Sequence, residues 1–216
     1  MEVWDYFRHN QHQVLEWLWS HTWLSVLPIV IGLVVALPLG WLANRYRWTY
    51  PPLIGLFGIV YTIPSLAIFV AMPGLLHTKI LDPINIVVAL TIYTVALLVR
   101  VIADGLAAVP AEVKQAATAM GFRGFQRFTK VELPLAIPVI TAGLRVAIVA
   151  NVSLVAIAAI LGVAELGQLF TDGINLLYYP PIILGIVLCV LLAAVLDSLL
   201  VLAARWATPW RRAVNR

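Results

Sequence analysis

Charge is what this sequence has least of. Only 11% of its 216 residues are Asp, Glu, Lys or Arg, against roughly a quarter in ordinary soluble domains, while 62% are hydrophobic. A chain with so little to offer water is excluded from the soluble globular class and needs lipid as its main solvent. Cysteine is nearly absent too. Cys189 stands alone in an apolar run, so neither a disulfide framework nor a thiolate metal cluster is available. The four histidines, His9, His12, His21 and His77, lack metalloprotease spacing and lie outside the hydrophobic runs. They are expected at exposed or interfacial positions, because a histidine site needs converging partners. No G-x-x-x-x-G-K-[ST] loop occurs, since none of Lys79, Lys114 and Lys130 follows a glycine. ATP chemistry by that route is closed to this chain. Ser65 and Ser198 have no histidine near them in sequence, which leaves a hydrolase without its base. Residues 1–20 carry Glu2, Asp5 and Glu16 and lack an uninterrupted apolar core, so no cleavable signal peptide is expected.

What is there is long apolar runs. Trp23 to Ala43 supplies about the 20 residues needed to cross the hydrocarbon, despite Pro28 and Pro38, which membrane helices tolerate. Further spans are expected from Pro52 to Met72, ended by Pro73-Gly74, from Ile84 to Ile102, from Pro134 to Val163 and from Pro181 to Ala204. The fold class is thus all-α, a five-span membrane protein. Trp4 to Ser20 mixes aromatic, apolar and charged side chains and suits a short interfacial helix, giving an N-terminal segment over 1–21 ahead of one membrane domain over 22–205. Within that domain, 162–180 reads as an outer re-entrant or surface loop, and 206–216 as a basic tail.

Positive charge sets the orientation. Eleven of the 14 Lys and Arg residues fall in the 45–51 loop, the 100–132 segment and the tail from Arg205. By the positive-inside rule the amino terminus lies outside and the carboxyl terminus in the cytoplasm. The net charge of +4 is accounted for in this way, and no nucleic-acid partner is expected.

The orientation places the one long polar interruption, residues 105–133, in the cytoplasm. Glu112 to Met120 is rich in helix formers, with a small face made by Ala116, Ala117 and Ala119. Gly121 ends that helix and lets the chain turn, and Phe122, Arg123 and Phe125 follow. Two aromatics on a cytoplasmic loop must be buried against something. Either the segment fits a groove on a partner or it folds back on its own bundle.

The order Gln115-Ala116-Ala117, three residues, Gly121, nine residues, Val131, one residue, Leu133-Pro134 resembles the EAA loop of ATP-binding-cassette importer permeases. Glutamine stands for the usual leading glutamate and valine for isoleucine, so a salt bridge made by that acid is not carried over. Tyr61-Thr-Ile-Pro64-Ser65, Gly143-Leu144-Arg145 and Leu161-Gly-Val-Ala-Glu165-Leu-Gly167 are similar to the osmoprotectant branch of these permeases, over roughly residues 20 to 205. The resemblance implies a multi-pass permease in the cell membrane, paired with a second identical or homologous permease chain. It implies two cytoplasmic ATPase subunits, which carry the ATP and Mg, and an extracytoplasmic binding protein that delivers glycine betaine, choline or a related compound. It also makes Glu112, Gln115, Ala116, Ala117, Gly121, Phe122 and Arg123 the ATPase-coupling residues. The same spans give a passive oligomeric channel or osmotic valve as the alternative.

Three intramembrane polar residues need partners. Arg145 lies about 16 Å along its helix from Pro134, and Asp197 about 12 Å before Arg205, so the two reach similar depth and are expected to pair. Asn151 is the third. Pro64 with Ser65, and Glu165 with Gly167 in the outer loop, are the candidate gate or path residues.

Overall fold

The computed structural model describes residues 3–210, and the expected tail beyond Trp210 lies outside them. Among the described residues nine α-helices account for most of the chain and no strand occurs. In order they are α1 (Val3–Arg45), α2 (Tyr50–Thr62), α3 (Ser65–Leu76), α4 (Ile84–Ala107), α5 (Ala111–Ala119), α6 (Gly124–Arg127), α7 (Leu133–Val155), α8 (Gln168–Asn175) and α9 (Tyr179–Ala207). A π-helical turn, Phe128–Glu132, joins α6 to α7, and a 3-10 turn, Ala156–Leu161, extends α7. Four helical runs are long and apolar enough to cross a membrane, and α2 with α3 forms a bent pair that makes a fifth.

The helices are ordered around α4. Its sequence is apolar on nearly every side, the pattern of a helix surrounded by others, and α1, α7, α2 and α3 all pack on it. Leu90, Leu98, Val99, Ile102 and Leu106 of α4 have no exposed surface. In contrast α9 turns Ile186, Val190, Val195 and Leu199 outward, where only lipid or another apolar chain can cover them.

Two expectations about helix breaks are corrected. The second apolar run is not one helix but two, bent by 101° at Ile63-Pro64. The ring of Pro64 pushes the preceding residue out of the helical region, and Ile63 sits at φ −68°, ψ 132°. Pro73-Gly74 does not stop α3, which continues to Leu76 and ends with His77 in the left-handed region at φ 55°. The carbonyl of Pro73 is what the His77 N–H returns to, so this proline takes part in the cap.

The boundary expected at residue 21 is not a break either. Helix α1 runs through it, and the departure from helical backbone falls at Asn10 (φ −117°, ψ 17°). Trp4 to Trp23 contains neither glycine nor proline, and Val14, Trp17 and His21 turn into the bundle and hold the helix straight through.

Close approach of α1 to α4 depends on two glycines. A Cβ at Gly32 would stand 2.6 Å from Cγ2 of Thr94, and one at Gly40 2.6 Å from Cγ2 of Ile102. Small residues at such a crossing let the backbones approach, which in lipid is the main source of helix–helix attraction. Gly40→Ala is expected to destabilise by about 1–3 kcal/mol through overpacking. Gly55→Ala, which meets nothing within 4 Å, is the control. Thermal unfolding in detergent should show a drop of several degrees for the first and none for the second.

Candidate functional site

Helix α4 ends at Ala107, and Pro110, its φ held at −54° by the ring and its ψ extended at 141°, redirects the chain into α5. The nine residues of α5 bury only Ala117, at 1% exposure, so the helix lies flat on the end of the bundle. Glu112, Gln115 and Ala116 are exposed. Gly121 ends α5 at φ +87°, a conformation that an L side chain resists. The N–H of Gly121 donates to Thr118 O and that of Phe122 to Ala117 O, closing the turn. Arg123 then opens α6, its N–H donating to Oε1 of Gln126 at 3.2 Å.

Three side chains pin this turn to the bundle. Lys114 Nζ donates to Leu106 O at 2.9 Å, tying α5 to the end of α4. Arg127 donates through Nε to Oε1 of Glu132 at 2.5 Å and through Nη1 to Thr118 Oγ1 at 3.1 Å. Glu132 is 4% exposed, so this ion pair is largely desolvated and geometrically restrictive. Phe128 packs on Trp41 of α1 with ring centroids 5.7 Å apart. Neither the Arg127–Glu132 pair nor the Lys114 contact was legible beforehand. Helical neighbours are three or four residues apart, and only the π-helical turn brings positions five apart together.

The two open readings of the aromatics divide between residues. Phe122 is half-buried, whereas Phe125 and Met120 stand out at 71% and 70% exposure. Anchored from below and apolar at the tip, the α5–α6 turn can present a rigid projection to a partner.

The remaining candidates are spread through the bundle. Arg145 on α7 and Asp197 on α9 form a bidentate pair, Nε to Oδ1 at 2.6 Å and Nη2 to Oδ2 at 2.8 Å. The pair borders an open groove of about 680 Å³ between the two helices, and the Arg145 side chain remains half exposed to it. Asn151 is buried and donates to Ser25 O at 3.3 Å and to Thr94 Oγ1 at 3.1 Å, linking α7 to α1 and α4. Pro64 and Ser65 sit at the break between α2 and α3. The carbonyl of Ile63, freed by that break, accepts the hydroxyl of Tyr93. Near the α5 end of α4, Tyr50 donates to Asp104 at 2.7 Å, and Arg100 lies 3.9 Å from the same carboxylate.

Glu165 and Gly167 are not on an open path. Both are buried, and Glu165 is 0% exposed. Its partner is His21, also 0% exposed, which corrects the expectation that the histidines are exposed or interfacial. His21 lies just before the first strongly apolar run, but α1 carries it inside, where Glu165 and the Val152 carbonyl meet its two ring nitrogens.

A bundle of long apolar helices with one anchored, protruding helical turn at its end is a multi-pass membrane component. The chain belongs to the family of binding-protein-dependent transport system inner membrane components, matched over residues 20–212. It is 34% identical over 203 residues to the osmoprotectant import permease protein OsmW of Salmonella typhimurium, covering 93% of this chain and 94% of that one. The glycine betaine/carnitine/choline transport system permease protein OpuCB of Bacillus subtilis is 30% identical, over 96% and 94% of the two chains. Among solved structures, an inward-facing form of the MetNI methionine ABC transporter superposes with a TM-score of 0.80 at 21% identity, covering 92% of this chain and 98% of that one. An amino acid ABC transporter with histidines gives 0.77 at 19%, over 95% and 98%. At these identities the structural matches establish the shared fold.

Arg145 and Asp197 lie at the surface of membrane-spanning helices, where a charge without its partner has little water to turn to, so removing one half of the pair is worse than removing both. Asp197→Ala is therefore expected to lower the melting temperature in detergent more than the Arg145→Ala/Asp197→Ala double variant does. Equal melting of all three with the wild type would show the pair to be inert for stability.

Proposed function

We propose that this chain is the transmembrane subunit of an ATP-driven importer of quaternary-ammonium osmoprotectants such as glycine betaine or choline. The observation that carries the reading is the pinned α5–Gly121–α6 turn, supported by relatives whose names specify osmoprotectant, glycine betaine, carnitine and choline transport. In this account five spans cross the cell membrane, with the amino terminus outside, the segment ahead of the Asn10 break at the outer interface and the carboxyl terminus in the cytoplasm. The α5 turn then faces the cytoplasm, and two ATPase subunits that hold ATP and Mg grip it on each of two permease chains.

Glu112, Gln115, Ala116, Ala117, Gly121, Phe122 and Arg123 form or shape the surface that the ATPase holds. Lys114, Arg127 and Glu132 transmit its displacement, because they join the turn to α4 and α7 rather than to a loose loop. ATP-driven closure of the ATPases rocks the helices and opens the path, lying between the two permease chains, toward a substrate-loaded binding protein; release after hydrolysis returns it inward. The break at Pro64 and Ser65 is the point at which a span can change its bend without breaking a continuous helical ladder. A passive oligomeric channel has no use for an anchored docking turn, and no observation favours it.

Gly121→Val places a β-branched residue at φ +87°, at a cost of about 1–2 kcal/mol for the left-handed conformation, and changes the angle at which α6 leaves α5. Stimulation of ATP hydrolysis by loaded binding protein should fall by about tenfold or more, since misdirecting the turn removes interactions worth over 1.4 kcal/mol. Insertion and assembly in the membrane should persist. Wild-type stimulation in the variant would refute the assignment of this turn as the coupling element.

A further inference from the structure

His21 sits where three parts of the chain converge. It projects from α1, its Nε2 lies 3.0 Å from Val152 O on α7, and its Nδ1 lies 2.6 Å from Oε2 of Glu165 in the turn after α7. The same Oε2 accepts the N–H of Gly167 at 2.7 Å. A Cβ on Gly167 would overlap both the carboxyl group of Glu165 and Ala156 O, so the turn closes around the acid. Leu166 in this turn and Leu169 in α8 pack with Val14 and Trp17 of α1.

The hydrogen bonds fix how many protons the pair holds. A carbonyl accepts only, so Nε2 must carry a hydrogen for Val152 O. Gly167 donates only, so Oε2 must accept from it. One proton is then left between Nδ1 and Oε2, and whichever atom carries it the pair is neutral overall. A substitution that alters this pattern would set two donors against each other or two lone pairs against each other. In a site with no exposed surface either change leaves a polar group unmatched. Oε1 of Glu165 already has no partner among the described residues, so the site has no slack to absorb it.

We propose that His21 is a positioning residue for transport: acting through Glu165, it locks the 162–167 turn, and α8 behind it, to α1 and α7. The segment lies at the end of the bundle opposite α5, and its outermost side chains, Ile174, Leu176 and Leu177, are exposed. The lock sets where that surface stands when the extracytoplasmic binding protein docks. That consequence rests on the importer reading given above, whereas the lock itself does not.

Glu165→Gln separates this proposal from simple packing. Glutamine has the shape of glutamate, yet no neutral arrangement of it serves all three partners. With its amide nitrogen at the Oε2 position it faces the Gly167 N–H donor with another donor. With its oxygen there, it needs a proton on Nδ1, which either strips Nε2 or charges the ring. Glu165→Gln should therefore lower the melting temperature in detergent, and the loss in the His21→Ala/Glu165→Gln double variant should be smaller than the sum of the single losses. In liposomes holding the assembled importer, the concentration of loaded binding protein giving half-maximal uptake should rise about tenfold, the effect of one buried hydrogen bond. The maximal rate should fall much less. Wild-type melting and half-saturation in Glu165→Gln, or additive losses in the double variant, would overturn the lock. A fall in maximal rate alone would overturn its positioning role. If the wild type shows no ATP-dependent uptake, the importer reading fails while melting still judges the lock. If Glu165→Gln does not fold, nitrogen NMR of histidine-labelled wild type decides: a protonated Nε2 on His21 agrees with the proposal, and a bare Nε2 contradicts it.

Discussion

Hydrocarbon offers nothing to a polar group that loses its partner, and this constraint governs each irregular feature of the bundle. The break at Ile63-Pro64 exposes a carbonyl, and Tyr93 from α4 caps it. The turn after α7 buries a carboxyl group, and His21 from α1 meets it. Asn151 inside α7 is shared by Ser25 and Thr94. Arg145 donates to both carboxylate oxygens of Asp197. Each of these groups takes a partner from a different helix, so polar pairing and helix packing specify one arrangement together. Close contact of α1 with α4 at Gly32 and Gly40 lets Ser25 and Thr94 share Asn151.

The same arrangement divides the molecule mechanically. At one end α5 is joined to α4 by Lys114 and to α7 by Arg127 and Glu132, so a push on the turn reaches the central helix and its neighbour directly. At the other end His21 and Glu165 hold α1, α7 and the 162–167 turn as a unit. Between them lies the span bent most sharply among the described residues, α2 with α3. A bundle stiff at both ends and broken in a single span is suited to switching between two discrete shapes, as alternating access requires.

Much of this was legible in the sequence because the relevant signals are local. Apolar runs locate the long helices, Gly121 marks the end of α5, and equal depth brings Arg145 and Asp197 together. The spacing from Gln115 to Pro134 identifies the family, which the match over residues 20–212 establishes. What failed were inferences about prolines and about long-range polar contacts. Pro64 and Pro73 look alike in an apolar run, yet one bends its span by 101° and the other sits inside α3. His21 and Glu165 are 144 residues apart, and nothing in the neighbourhood of either one reveals the other. The π-helical turn that joins Arg127 to Glu132 likewise has no periodic signature. The sequence gap at residue 21 was real as a change in polarity, but a helix can carry a change in polarity without breaking.

The central claim is that an outside ATPase, acting through the α5 turn, drives uptake through this chain. Its most direct test is to reconstitute the chain in liposomes with its ATPase and binding protein and follow labelled glycine betaine or choline. Uptake that requires ATP, the ATPase and the binding protein together is the predicted result. Uptake that proceeds equally without ATP would contradict the account and point to a passive pore.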